Sequence, residues 1–443
     1  MQEREREEMT VLFITIYVTL FILTAALGAN RRGLAFAPQM WFSGLWCIVG
    51  FLSNLGIYDF YKPSLFVNLT IIAGIVLFDI ASFLLINTQA RDLRKIVPDV
   101  LGSRLNLTTI YIVNAACLLF LLPTLFVSLS YIAAGDFTAL RTAIFANEFT
   151  STLQNAVRSY LINPIVTATV LVGLVSFFLG KEKGAQVLVV GLIGCFAITM
   201  AEASRVMLTK TVTFLIIAAI VAFKKGGIRV KLNLRSKLFI FFALVASVGF
   251  CLVITSDRSA DGDFLKVFYT YYFAGPSYLT QLLACENSTF TVFEDFLLGG
   301  ASFGGFVNIP IMVLTYLGFG VKDTTFVVGS VLTSGNLAVS PTMSLNSMCT
   351  CFFDFFVDWG YLGIVVGPIL LAVFTALIVN SYSKKRTVAQ LALLVFWFYI
   401  LTRTPFALDT INPAFVITVI CTFVFCREFR GPNANGKKSS MRC

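Results

Sequence analysis

Long apolar blocks dominate this chain of 443 residues and limit what it can fold into. A block of about 20 apolar residues crosses the hydrocarbon core of a bilayer as a helix, because lipid tolerates only an internally hydrogen-bonded backbone. Charged residues make up 13% of the chain, against roughly 25% in soluble domains. The sequence therefore predicts an all-α, polytopic integral membrane protein that forms one membrane domain over residues 1–443.

Eleven main membrane spans are predicted, and a further apolar stretch brings the total to eleven or twelve. This stretch, 303–320, is rich in Gly and contains Pro310, so it is a re-entrant segment, an interfacial segment or a true span. The eleven main spans are 10–28, 38–56, 65–87, 107–132, 161–180, 186–203, 206–223, 238–255, 361–380, 388–403 and 411–427.

The basic residues predict which side of the membrane each loop faces. Of the 33 Lys and Arg residues, 22 fall in one alternating set of loops and in the C-terminal tail. Cytoplasmic loops carry an excess of Lys and Arg, so this set is predicted to be cytoplasmic. The N-terminus then faces outwards, as do the longer loops 133–160 and 256–360. Long loops are usually functional, which predicts a working surface on the outer side.

Two features of the composition exclude common kinds of site. The net charge of +10 is scattered among membrane spans and forms no contiguous basic patch, which argues against nucleic-acid binding. The chain has no His, the commonest zinc ligand and the usual general base. We therefore expect neither a metal nor another cofactor.

Three Arg residues at the predicted outer ends of three spans are the first candidates for a functional site: Arg205, Arg258 and Arg403. The planar guanidinium group donates to two phosphate oxygens at once, so three of them converging would bind a phosphate or pyrophosphate. The alternative is structural. Arg205 would then snorkel to the interface, Arg403 would pair with Asp409, and the acids around Arg258 would only solvate a loop.

Carboxylates on the outer side are the candidates for a general base, because the chain has no His. Asp354 and Asp358 are four residues apart and share a face if the segment is helical. Glu202 lies within two turns of Arg205. The alternative for Asp358 is a helix cap or a partner of the helix dipole.

The long outer loop also contains segments that suit a sugar, because they combine aromatic rings with amide and hydroxyl groups. Tyr271 and Tyr272 lie in YTYYFAGPSYL, and Asn336 and Ser340 lie in SGNLAVSPTMSLNS. These four residues are the candidates for substrate binding. The alternative for the two Tyr residues is an aromatic belt at the membrane interface.

The layout and several motifs resemble the O-antigen, or oligosaccharide repeat-unit, polymerases of the Wzy type. The family has eleven to twelve spans and a large periplasmic loop late in the sequence. The segment SRVMLTK resembles its Ser-Arg turn, and YTYYFAGPSYL resembles the opening of its large loop. GNLAVSPTM followed by DWGYLG resembles the end of that loop, and LTRTPF resembles its Arg near the penultimate span.

The resemblance implies a metal-independent glycosyltransferase in the bacterial inner membrane. Its substrates would be glycans linked to undecaprenyl pyrophosphate, and the growing chain would move onto a new repeat unit at the periplasmic face. Arg205 and Arg403, with Arg258 behind them, would stabilise the charge of the leaving pyrophosphate. The resemblance also implies that the protein acts together with a chain-length regulator and a flippase.

Two other membrane functions compete with this interpretation. A flippase or transporter of lipid-linked glycan would place charges in mid-membrane, whereas only Asp79 lies clearly inside a predicted span. An O-antigen ligase shares the layout, but ligases usually carry a His in the large loop. Polymerisation is therefore the first expectation, with the flippase and the ligase as its alternatives.

Overall fold

The structure, a computed structural model, is almost entirely helical, which confirms the all-α class. Within the described residues, six helices are long and apolar enough to cross a membrane, and several shorter apolar helices accompany them. The protein is therefore a multi-pass helical membrane protein. The described residues are 2–31, 36–87, 105–146, 148–181, 183–202, 204–223, 264–284, 296–320, 337–345 and 349–426, with single positions at 245, 249, 324, 328 and 329.

The helices fall into two groups, separated by residues 224–263. The first group is α1 (Gln2–Arg31), α2 (Leu45–Leu55), α3 (Leu65–Leu85), α4 (Leu107–Ala133), α5 (Phe137–Phe145), α6 (Thr152–Val157), α7 (Asn163–Phe178), α8 (Gly184–Glu202) and α9 (Val206–Phe223). The second group is α10 (Phe264–Phe273), α11 (Gly275–Ala284), α12 (Gly305–Tyr316), α13 (Cys351–Trp359), α14 (Gly363–Lys385), α15 (Val388–Arg403) and α16 (Pro413–Phe425). Stretches of π-helix, Met40–Gly44 and Arg158–Ile162, lead into α2 and α7.

Polar caps explain where several helices begin. The side chain of Ser64 accepts a hydrogen bond from the first turn of α3, and Thr387 does the same for α15. Asn412 caps α16, which has Pro413 at its first position. Each cap satisfies an N–H group that lacks a partner inside the helix, so these starts follow from local sequence.

The bundle packs around α7. In its span, Thr152–Phe178, 83% of the most apolar window is buried, against 22% in α1 and in α4. Small residues allow the closest packing, since Gly191 and Gly194 of α8 lie against Val170 and Val166 of α7. The apolar faces of α1 and α4 are exposed on the outside of the bundle, where a helix in a bilayer meets lipid.

The helices coincide with the predicted spans wherever the structure describes them. The span 238–255 lies almost wholly outside the described residues and stays a prediction. The stretch 303–320 contains α12, whose 12 residues extend about 18 Å. The hydrocarbon core is about 30 Å thick, so this length favours the re-entrant or interfacial alternative over a full span.

One end of the bundle gathers the segments that were predicted to face outwards. The Tyr269 hydroxyl of α10 donates to the Leu52 carbonyl near the end of α2. Arg205, just before α9, lies against Tyr271 of α10. The two-stranded hairpin of β1 (Leu337–Ser340) and β2 (Met343–Leu345) joins the same end, since the Val339 carbonyl accepts from the backbone of Tyr61. We call this end the upper end.

The helix α13 dips into the bundle from the upper end and packs along α14. The chain reverses at Gly360, whose φ of 56° suits a residue without a side chain. The ring of Phe352 fills the space where Gly74 has no side chain, and Pro368 of α14 lies beside the same glycine. Gly74 lies near the middle of α3, so the first turn of α13 reaches about half the height of the bundle.

Candidate functional site

Arg403 ends α15 and forms an open pair with Asp409. Its Nε atom is 3.6 Å from Oδ2 of Asp409, and 33% and 32% of the two side chains are accessible. That distance is too long for a hydrogen bond, and Nε has no other hydrogen-bond partner among the described residues. The guanidinium carbon lies 4.7 Å from the ring centroid of Phe406. The Nε atom itself is buried, but 33% of the Arg403 side chain is accessible, so the rest of the guanidinium can contact a further group.

Three hydrogen bonds hold the turn that follows Arg403. The indole N–H of Trp46 donates to the Thr404 hydroxyl at 2.9 Å, and the backbone N–H of Cys351 donates to the Thr404 carbonyl at 2.8 Å. The carboxylate of Asp354 accepts from the backbone N–H of Leu408 at 3.0 Å. The turn is thus fixed to α2 and to α13.

Close backbone packing holds the same turn from α11 and α12. A side chain at Gly275 would meet the Pro405 carbonyl oxygen at 2.6 Å, so only glycine allows this approach. The side-chain amide of Asn308 donates to the carbonyl of Ile411 at 3.0 Å. Fixed charges stabilise a developing anion without reorganising, and this turn fixes Arg403 in that way.

The site is recessed below the upper end. The 16 residues of α15 extend about 24 Å, and Pro405 follows its C-cap, Thr404, which disfavours continuation of the helix. Thr404 bonds to Trp46, which lies midway along the helical segment Met40–Leu55. Arg403 lies at the end of its span, as predicted, but that span ends about halfway along the neighbouring segment Met40–Leu55.

The last turn of α10 connects Arg205 to Arg403. The guanidinium of Arg205 lies over the ring of Tyr271, 4.8 Å from its centroid. The ring of Tyr272 meets Phe406 edge to face at 5.0 Å, and Phe406 also lies under Arg403. Burial raises the pKa of Tyr272, while the charge of Arg403 opposes that rise. Two of the three predicted Arg residues thus belong to one aromatic-lined region.

Lys210 is a third cation of this region, and it is not among the predicted site residues. It lies on α9, within electrostatic range of Arg403 and Asp409. Its ammonium is 5.6 Å from the ring centroid of Tyr399, which precedes Arg403 by one turn on the same face of α15. The only signal in the sequence is its place shortly after Arg205.

Glu202 is held in a separate ion pair. Its Oε1 atom is 3.1 Å from Nε of Arg158, and 10% of the Arg158 side chain and 18% of that of Glu202 are accessible. The side-chain amide of Asn163 donates to the same oxygen at 3.4 Å. These contacts favour a structural role for Glu202, which links the segment leading into α7 to the end of α8, over that of a general base.

The two predicted Asp residues of α13 point at backbone groups. Asp358 is fully buried, and its carboxylate accepts from the backbone N–H groups of Ala301 at 2.8 Å and Ser302 at 2.7 Å. Asp354, also buried, accepts from Leu408. They do share one face of a helix, as predicted. Their contacts favour a structural role, and Asp354 acts on the site by fixing the turn beside Asp409.

The remaining predicted residues lie apart from the cations or outside the described part of the chain. Ser340 is buried at the end of β1, where its hydroxyl accepts from the backbone of Thr342 at 3.3 Å. This position does not favour contact with a substrate. Arg258 and Asn336 lie outside the described residues, so their roles stay predictions.

Asp79, the acid inside a predicted span, is satisfied by two hydroxyl groups. Thr24 of α1 donates to one of its oxygens at 2.7 Å, and Ser43 donates to the other at 2.6 Å. The carboxylate joins three helical segments in the buried part of the bundle. This arrangement favours packing of the bundle over transport.

No family model, curated protein or solved structure matches this chain. The resemblance to the repeat-unit polymerases therefore rests on the motifs quoted above. The function is therefore inferred from the site, in which Arg205, Lys210 and Arg403 lie around a rigid, recessed turn lined by aromatic rings.

Proposed function

We propose that the protein is a membrane glycosyltransferase that polymerises oligosaccharide repeat units carried on undecaprenyl pyrophosphate. The observation that carries the proposal is the rigidly held, accessible Arg403 with Arg205 and Lys210 nearby. Such a site suits an anion whose charge grows during a reaction. The rings of Tyr271 and Tyr272 offer faces on which a sugar can stack.

In the proposed reaction, an acceptor hydroxyl of the new repeat unit attacks the anomeric carbon of the growing chain. The bond from that carbon to the pyrophosphate oxygen breaks, and its electron pair leaves with undecaprenyl pyrophosphate. Fixed cations stabilise that charge, which is commonly the largest contribution to catalysis. The product is a chain one repeat unit longer on the carrier of the incoming unit.

The acceptor hydroxyl must lose a proton, and we assign the proton acceptor as Asp409. Of the predicted bases, Glu202 is paired with Arg158, and Asp354 and Asp358 are bonded to backbone groups. Asp409 has 32% of its side chain accessible and lies beside the cations. A base within reach of both the hydroxyl and the leaving group fits general base catalysis.

The recessed position suits a substrate that stays in the membrane. A lipid pyrophosphate lies at the level of the headgroups, below the surface reached by loops, and Arg403 lies below the upper end of α2. We propose that the upper end faces the periplasm and that the protein lies in the bacterial inner membrane. A chain-length regulator and a flippase would act on the same substrate.

A flippase for the same lipid-linked glycan is the second candidate, and the depth of Arg403 favours it. A transporter places substrate-binding charges at mid-height of its bundle, and Thr404 bonds to Trp46, midway along the helical segment Met40–Leu55. The clamped turn argues for the enzyme, because a transporter has to rearrange around its substrate.

A deletion strain distinguishes these functions through its lipopolysaccharide ladder. We expect collapse to the core plus one repeat unit, and recovery of long chains when the wild-type protein is supplied. The R403A variant, inserted at the normal level, should not restore them. Loss of every repeat unit would instead indicate a flippase or a ligase, and an unchanged ladder would exclude all three.

A further inference from the structure

A row of three aromatic rings leads away from Arg403. The guanidinium carbon of Arg403 lies 4.7 Å from the ring centroid of Phe406, and the ring of Phe406 meets that of Tyr272 at 5.0 Å. The ring of Tyr272 in turn lies 4.5 Å from that of Phe268 and is tilted against it by 34°. We call Phe406, Tyr272 and Phe268 the aromatic row. It connects Arg403 without a gap to a ring one turn further along α10.

Phe268 is the open end of the aromatic row. It is 45% exposed, whereas Phe406 and Tyr272 are partly buried. Tyr269, on another face of α10, is buried, and its hydroxyl donates to the Leu52 carbonyl near the end of α2. The helix is therefore anchored on one face and presents Phe268 on another. Because Tyr272 supports the ring of Phe268, the position of that ring is set before a ligand binds.

Two parts of the proposed substrate extend from its pyrophosphate, the lipid tail and the glycan, and the surroundings of α10 suit the glycan. The helix begins at Phe264 and follows directly on SDRSADGD, a segment with four charged residues that is predicted to face outwards. Charged groups are costly in a hydrocarbon environment, so a row that runs along α10 towards this segment runs towards water. The glycan lies in water, whereas the tail stays in the bilayer.

We infer that Phe268 forms a sugar-binding subsite, in which its ring stacks on a sugar of the glycan carried by the lipid pyrophosphate. A sugar ring presents C–H bonds on its faces, and the negative face of an aromatic ring attracts the partial positive charge of such bonds. Arg403 binds the pyrophosphate, and the aromatic row extends from it as the glycan does. The inference rests on the proposed function and deepens it by naming a residue that recognises the glycan.

The test measures the dissociation constants of two probes with the purified full-length protein in nanodiscs. One probe is undecaprenyl pyrophosphate that carries a single repeat unit, extracted from the deletion strain, and the other is undecaprenyl pyrophosphate without a sugar. F268L keeps an apolar side chain and loses the ring face, so it should weaken binding of the first probe about fivefold. It should leave binding of the second probe unchanged. F268Y keeps the ring and should bind both probes as the wild-type protein does.

Phe66, in the first turn of α3, offers a matched control, because it is 38% exposed and lies 5.8 Å from the rings of both Phe356 and Tyr361. F66L should leave the binding of both probes unchanged. The inference is overturned if F268L binds both probes like the wild-type protein, if it weakens both equally, or if F66L has the same effect as F268L. Loss of glycan binding in F268L together with an unchanged lipopolysaccharide ladder in the deletion strain would refute polymerisation and leave the inference intact.

Discussion

Two pairs of an arginine and a carboxylate lie within the bundle, and they differ in distance and in accessibility. Arg158 and Glu202 are 3.1 Å apart and mostly buried, with 10% and 18% of their side chains accessible. Arg403 and Asp409 are 3.6 Å apart, with 33% and 32% accessible. The Arg158–Glu202 pair, the closed pair, is thus largely shielded from solvent, whereas the Arg403–Asp409 pair, the open pair, is one-third accessible. Beside the open pair lies Lys210, which has no hydrogen-bond or ion-pair partner among the described residues. The difference separates a structural ion pair from a site that is open to an anion.

Replacing Arg403 should have the largest effect. R403A should slow chain extension about 1000-fold, because removing one preorganised donor to a developing charge costs roughly 10²–10³ in rate. R403K should recover part of the rate, since it keeps the charge and loses the fork. Extension of lipid-linked repeat units by purified protein measures both. R403A at the wild-type rate would show that the open pair is not the site.

Replacing the carboxylate of the open pair should have the next largest effect. D409N should lower the rate about 100-fold, near the lower end of the range for general acid–base catalysis. E202Q, the same change in the closed pair, should keep the wild-type rate per folded molecule. The same extension assay measures the rates of both variants. If E202Q were much slower than D409N, Glu202 rather than Asp409 would be the general base.

Breaking the closed pair should affect stability rather than chemistry. R158A leaves the largely buried Glu202 without its partner and should lower the free energy of unfolding by about 3 kcal/mol. The double variant R158M/E202L should recover part of that loss, because it removes both charges. Thermal unfolding in detergent measures the effect. A stable but inactive R158A protein would place this pair in the functional site.

Asp358 should behave like the closed pair. D358N loses one of two acceptors for backbone N–H groups and should cost about 1–3 kcal/mol of stability. Activity per folded molecule should stay within about twofold of wild type, since the effect passes through packing. Unfolding and extension assays on one preparation test this. Full stability with lost activity would restore Asp358 as a base.

Tyr272 should show the smallest effect, because it supplies a ring face rather than a proton. Y272F should change the rate less than about threefold, whereas Y272A should lower it about tenfold through the lost stacking. Burial raises the pKa of Tyr272 from its ordinary value, so the phenol stays protonated at every pH below that value. Y272F should therefore leave the pH–rate profile unchanged between neutral pH and about pH 9. If Y272F instead lost one limb of the pH–rate profile, Tyr272 would be a proton-transferring group.

The sequence predicted the positions of the helices well, but it predicted only some of the residues that meet in the candidate site. The spans coincide with helices because the apolar pattern that drives insertion is local. It found Arg205, Arg403, Tyr271 and Tyr272, which the structure brings into one region. It missed Lys210, whose role depends on rings from another helix. It predicted a site at the membrane surface, and the hydrogen bond from Trp46 to Thr404 sets Arg403 below the upper end of the segment Met40–Leu55.

The carboxylates show why such contacts cannot be predicted from the sequence alone. Asp354 and Asp358 share a helix face in the way expected of a catalytic pair, yet their partners are backbone N–H groups at Leu408 and Ala301. A backbone donor has no residue type that could signal it. Glu202 likewise has Arg205 as its neighbour in sequence and Arg158 as its partner in space.

The sequence by itself determined that this protein is a multi-pass helical membrane protein, whereas the side on which its basic loops lie stays a prediction. Its helices need no distant partner, because each satisfies its own backbone in lipid. Only the tertiary structure decided which arginine stays open, how deep it lies and which cation joins it. Those properties depend on contacts such as Trp46 to Thr404, which join positions far apart in the chain. The apolar blocks therefore determine that the protein folds in a membrane, and the packing of the helices determines the geometry of the candidate site.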